Sequence, residues 1–260
     1  MSEVEIERDG AVASLILARP AVRNAMNEAM GRAVARAVEA LNTEPAVRVV
    51  LVRGQGKAFC AGGDLSLIDQ RVASDPGVNF QAMRTFYDLF LSIRDLRVPS
   101  IAVVHGTAMG AGLCFAMACD VRLAAAGAPM GLNFVKLGLH PGMGATWLLP
   151  RLCGPAKAAE LMLTGKVITA EEACRIGLVN DVYPADMLLD AARDMAAAIA
   201  AAAPLAVAQC KQSLQGGWAR DLGEALDNEA RAQKANFATE DLVEGVRAIR
   251  ERRVPRFTGR

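Results

Sequence analysis

Two glycine-rich stretches carry the groups most able to do chemistry. Residues 57–64 read KAFCAGGD, and residues 101–120 read IAVVHGTAMGAGLCFAMACD. In each, an apolar segment runs into glycines and a helix start follows. A turn of this kind leaves backbone N–H groups unpaired at the positive end of a helix dipole. Such groups hold an anion, or an oxygen that becomes one during a reaction. Two such turns aimed into one space make an oxyanion hole. Glycines also break strands and permit close packing, so the residues alone leave both readings open.

The elements that must position these turns follow from pattern. Residues 4–7 alternate and residues 11–17 are apolar, with Asp9-Gly10 between them, which predicts a hairpin. Asn24 is expected to cap a helix whose apolar face carries Met26, Met30, Val34, Val38 and Leu41. Residues 47–52 predict a buried strand ended by Gly54. An amphipathic helix over about 80–96 leads into the 101–104 strand. Gly154-Pro155 predicts a helix over 156–163. Thr169-Ala-Glu-Glu172 is a capping-box pattern for a short helix, and residues 178–182 read as a strand. From 185 onward all is helical: 185–202, 205–214, 221–237 and 241–250. Strand–helix alternation followed by helices predicts an α/β domain with parallel strands, divided as a core over 1–200 and a helical region over 201–260.

Composition narrows the function. The 260 residues carry a net charge of +1, with 53% hydrophobic and 22% charged residues. This excludes the basic balance of a nucleic-acid or anionic-membrane binder. Six scattered cysteines show no metal or redox spacing and imply a reducing cytoplasm without disulfides. The polar N-terminus does not read as a signal peptide, and no stretch reads as a membrane span.

The strings themselves say more. KAFCAGGD (57–64), HGTAMGAGLCFAMACD (105–120) and FVKLGLHPGMGATWLLPR (134–151) resemble the enoyl-CoA hydratase/isomerase (crotonase) family. Arg19-Pro20, Arg23 to Met26, Leu163 to Gly165, Ala170 to Val179 and Val254 to Phe257 extend the resemblance over nearly the whole chain. The resemblance implies a spiral of ββα turns with a helical C-terminal trimerisation region, a homotrimer or dimer of trimers, and acyl-CoA thioester substrates with no separate cofactor. By position, the N–H groups of Gly63 and Ala111 would form the oxyanion hole. Cys60 and Ala61 match positions whose backbone meets the adenine. Arg23 and Lys57 match basic positions near CoA phosphates, although each also reads as a solvated surface cation. Phe257 matches an aromatic packed near bound CoA.

The departures bear on the reaction. The hydratase glutamates of the family map to Cys114 and Phe134, and a further acid of some isomerases maps to Gly142. None of these can do carboxylate work, whereas hydration needs one group to activate water and one to protonate carbon. The oxyanion hole alone supports steps through an enolate, such as decarboxylation. Thioester hydrolysis, a carrier-protein acyl group or a non-catalytic acyl-CoA binder are further readings. Candidate proton donors are His140, Cys114, Asp64 and Tyr87. Each has a plainer alternative: a structural histidine, a core thiol, a helix cap and a packed aromatic. His105 reads as structural. Phe134 and Cys114, with Met83, Met109, Met130, Met143 and Trp147, would wall an apolar acyl pocket.

Overall fold

The computed structural model describes residues 3–260. Strands β1 (Val4–Asp9) and β2 (Val12–Leu17) form the expected hairpin, with Asp9 paired to Val12 across Gly10 in the left-handed region. Helix α1 (Glu28–Asn42) follows and buries Met30, Val34, Val38 and Leu41. Its cap is Asn27, whose side chain accepts from the Met30 N–H, and not Asn24.

From there the chain winds as a spiral. Strands β3 (Val49–Gly54) and β4 (Ala58–Cys60) lead to helices α2 (Leu65–Val72) and α3 (Pro76–Leu91). Strands β5 (Ser100–Val104) and β6 (Thr107–Met109) lead to helix α4 (Ala111–Ala118). Strands β7 (Val121–Ala125) and β8 (Met130–Gly131) lead, through a 3₁₀ turn at Asn133–Leu137, to helix α5 (Ala145–Thr164). In each turn the first strand joins one sheet and the second joins another. The chain continues through β9 (Val167–Ile168), α6 (Ala170–Arg175) and β10 (Asp181–Tyr183). The large sheet has the order β1-β2-β3-β5-β7-β10, and the small sheet β4-β6-β8-β9. All large-sheet pairings after the hairpin are parallel, as expected for strands linked by crossovers.

Helix α7 (Leu188–Ala200) buries Leu188, Ala192 and Ala196. Helices α8 (Pro204–Gly216), α9 (Leu222–Asn236) and α10 (Glu240–Glu251) complete the chain. Helix α8 is tied down by Lys211, buried between Asp120 (2.8 Å) and the Val98 carbonyl (2.9 Å). Helices α9 and α10 leave Leu222, Leu226, Val243 and Ile249 exposed, and Phe237 just beyond α9 is exposed as well.

Three expectations shift. Residues 178–182 are only partly strand: Leu178 and Val179 are buried in a turn that closes onto Ala173, and pairing starts at Asp181. The helix expected over 156–163 belongs to a longer one from Ala145, broken by non-helical backbone at Gly154. The helix expected over about 80–96 begins earlier, at Pro76, and gives way to a 3₁₀ turn at Ser92–Asp95. Among the described residues no single helix is long and apolar enough to cross a membrane.

Candidate active site

The first glycine turn lies at the end of β4. Met26 donates to the Gly62 carbonyl (2.7 Å) and accepts from the Asp64 N–H (2.9 Å), a one-residue parallel bridge. Alternation along extended backbone leaves the intervening Gly63 N–H on the other side. A Cβ added at Gly63 would meet nothing within 4 Å, so this side opens on free space. The second turn passes through Gly110 at φ +50°, whose N–H is taken by the Gly131 carbonyl (2.8 Å). Ala111 is then the first residue of α4, where backbone N–H groups have no partner within the helix.

Close backbone packing brings the two turns together. A Cβ at Gly62 would lie 2.8 Å from the Met109 carbonyl oxygen and 3.8 Å from the Ala111 nitrogen. One at Gly112 would collide with Cys60, at 2.7 Å from its Cβ and 2.8 Å from its Sγ. These positions demand glycine because α4 sits directly on β4.

Both turns line one cavity of about 830 Å³. Phe134, Met83, Phe86 and Met143 supply apolar wall, and Arg23, Arg71 and His140 supply basic groups. Among the described residues Asp64 is the single carboxylate lining it. That carboxylate is engaged: it caps α2 through the Ser66 N–H (3.1 Å), accepts the Ser66 hydroxyl (2.8 Å) and pairs with Arg19 (3.1 Å). The Ser66 and Arg19 contacts hold its pKa below the ordinary carboxylate range.

The other candidates divide. Ala61 and Phe134 line the cavity, as does His140, which is exposed. Cys114 does not: it is fully buried behind the wall, with its thiol directed at the Gly142 carbonyl (3.6 Å). Burial pushes its pKa well above that of an ordinary thiol, and the side chain stands outside the cavity lining. Cys60 is likewise buried, bonded to the Asn24 carbonyl (3.0 Å) and pushed up to about 12 by desolvation. Met109, Met130 and Trp147 also lie outside the lining, and Trp147 instead meets the guanidinium groups of Arg94 and Arg151 over its ring. Lys57 is exposed and away from the cavity wall. Phe257 stands against Gly245 of α10, and its carbonyl accepts from Arg48 (2.8 Å), again away from the cavity. His105 contacts the Gly56 carbonyl (3.1 Å), a structural role.

Asn24 has a role that sequence reasoning missed. Fully buried at φ +56°, it accepts from the Arg19 N–H (2.9 Å) and donates toward the carbonyls of Gln55, Ala58 and Phe59 (2.9–3.2 Å). It thereby locks the Arg23 segment onto β4, where Ala61 donates to the Arg23 carbonyl (2.9 Å). No local pattern announces this, since the carbonyls it donates to lie more than thirty residues away.

The chain is thus a spiral of ββα turns in which two glycine turns meet at one cavity with an apolar wall and three basic side chains. Comparison with known proteins agrees. Residues 7–260 match the enoyl-CoA hydratase/isomerase family, and the chain belongs to it. The chain is 38% identical to crotonyl-CoA hydratase of Syntrophomonas wolfei, over 97% of this chain and 96% of that protein. It is 36% identical to 2,3-dehydroadipyl-CoA hydratase of Escherichia coli over the whole of both. The crystal structure of an enoyl-CoA hydratase from Bacillus anthracis superposes with a TM-score of 0.93 at 33% identity, covering 99% of this chain and 100% of that one.

Proposed function

We propose that this acyl-CoA enzyme holds its substrate's thioester carbonyl between the N–H groups of Gly63 and Ala111, stabilises the enolate, and works without a catalytic carboxylate pair. The observation that carries this is the cavity itself: Gly63 and Ala111 both line it, and Asp64, the one carboxylate among its described lining residues, is bound to Ser66 and Arg19. Two preorganised donors in an apolar site stabilise a developing oxyanion strongly. Loss of carbon dioxide from a carboxylated acyl group fits best, because the departing carboxylate itself leaves the electron pair that makes the enolate. Arg23, Arg71 and His140 suit a ligand rich in phosphate and carboxylate. The exposed apolar residues of α9 and α10 support the further proposal of a homotrimer or dimer of trimers.

The names of the relatives favour a second reading, hydration of an enoyl-CoA, in which His140 would activate water. One comparison separates the two. Purified protein is incubated with crotonyl-CoA, a 3-enoyl-CoA and methylglutaconyl-CoA, and products are followed by mass. Carbon dioxide loss from the last, with little hydration of the first, supports the proposal. Rapid crotonyl-CoA hydration abolished by His140→Ala supports the second reading and overturns the first.

A further inference from the structure

We propose that the Tyr87 hydroxyl is the proton donor to the enolate carbon. The proposal rests on the acyl-CoA reading above and adds the missing acid. Tyr87 lies on α3, whose neighbouring Phe86 and Phe90 are buried; Phe90 meets Phe115 of α4 edge-on at 6.0 Å between ring centres. That packing fixes the side of α3 that Tyr87 occupies and brings its half-buried ring to the cavity lining. The hydroxyl then meets Gly142 across the cavity wall: a Cβ built there would lie 2.5 Å from the phenol oxygen. The space a side chain at 142 would fill is filled by the phenol. The Gly142 carbonyl is also the group that the Cys114 thiol approaches. Cys114 sits one turn along α4 from Ala111, on the same face. Tyr87, Gly142 and Ala111 line the same cavity, so the phenol faces the space in which an enolate held at Ala111 would sit.

The hydroxyl makes no hydrogen bond to protein among the described residues, so its proton is available to a ligand. Burial, with the neighbouring Cys114, raises its pKa, which keeps it protonated at neutral pH. Of the other candidates, Asp64 is bound to Arg19 and Ser66, Cys114 is sealed off, and His140 is exposed to solvent, whereas the phenol is half-buried. In the step, the phenol O–H bond breaks and its proton forms the new C–H bond. The enolate electron pair supplies that bond as the thioester carbonyl reforms, and the phenolate then takes a proton from water. In reverse, the phenolate removes an α-proton from a bound acyl-CoA.

The reverse direction gives a test that needs no knowledge of the natural acyl group. Butyryl-CoA is bound in D₂O, affinity is measured by calorimetry, and α-deuterium incorporation is followed by mass between pD 7 and 9.5. The wild type is expected to exchange one α-hydrogen, faster as pD rises, because the phenolate is the base. Tyr87→Phe should lose roughly 100-fold in exchange rate, with affinity unchanged within about twofold because the hydroxyl is not needed for binding. Gly142→Ala should act like it, since the added methyl displaces the phenol. Tyr87→Ala with Gly142→Asp, which removes the ring atoms that would lie 3.0–3.2 Å from a Cβ at 142, should restore exchange, now nearly independent of pD across this range, as a carboxylate is already ionised there. A wild type that binds butyryl-CoA without exchanging it, or a Tyr87→Phe variant exchanging at the wild-type rate, overturns the proposal. Absence of binding by the wild type instead overturns the thioester reading beneath it.

Discussion

Gly63 and Gly112 stand near the same site, yet an added methyl group should do different things at each. At Gly112 it would collide with the backbone oxygen, Cβ and Sγ of Cys60. Overpacking of this kind costs about 1–3 kcal/mol, and a backbone contact that cannot swing aside argues for the upper end. Replacing glycine with alanine in a helix returns up to about 1 kcal/mol, leaving a net loss near ~2 kcal/mol. In a chain of this size each kcal/mol is worth roughly 2–4 °C, so Gly112→Ala should lower Tm by about 4–8 °C. At Gly63 the methyl meets nothing within 4 Å and the backbone is not in the left-handed region. Stability should stay within about 0.5 kcal/mol. The methyl would instead occupy the space where the thioester oxygen must sit. Loss of one oxyanion donor is worth about 100–1000-fold in rate, and Gly63→Ala should lose that much turnover. Thermal unfolding and turnover of the best CoA thioester, measured on both variants, check the pair. A Gly63→Ala protein that melts like Gly112→Ala, or one that melts normally and turns over normally, refutes the assignment of open space and donor to Gly63.

Asn24→Ala should lose roughly 3 kcal/mol by chemical denaturation, because its removal strands buried carbonyls of Gln55, Ala58 and Phe59 together with the Arg19 N–H. Lys211→Met removes the partner of Asp120 and should cost about 3 kcal/mol; an unchanged Tm would show that α8 is not anchored there. Iodoacetamide at pH 8 should leave Cys60, Cys114 and Cys119 unmodified in the folded protein and modify them in denaturant, read by peptide mass, since all three are buried and their pKa values are raised by desolvation. Asp64, held low chiefly by Ser66 and also by Arg19, contributes stability that is present above the unfolded carboxylate value of about 4 and is lost as pH falls through its folded value. Asp64→Asn should therefore flatten the acid limb of the stability profile, and an unchanged limb would contradict the pairing.

Much of the scaffold is legible in the sequence. Asp9-Gly10 marks the hairpin, Thr169 does cap α6 through the Glu172 N–H, and the apolar periodicity of α1 matches its buried face. The small sheet is not legible, because strands of two or three residues are shorter than any period a pattern can show. Asn24 misleads for a related reason: it has the residue type of a cap, but its partners are brought to it by the tertiary fold. In the site, the glycine strings mark both turns and place Gly63 and Ala111 at a shared cavity. That Tyr87 fills the space beside Gly142, and that Cys114 faces inward rather than toward the cavity, depends on how α3 packs against α4, which no local spacing encodes.

The central claim is that one thioester oxygen sits between two particular backbone nitrogens. A crystal structure of the protein with a bound, unreactive acyl-CoA tests it most directly. The thioester carbonyl oxygen should lie within about 3.2 Å of both the Gly63 and the Ala111 nitrogen. A bound acyl-CoA whose carbonyl oxygen is directed elsewhere, with either N–H left to solvent, would contradict it.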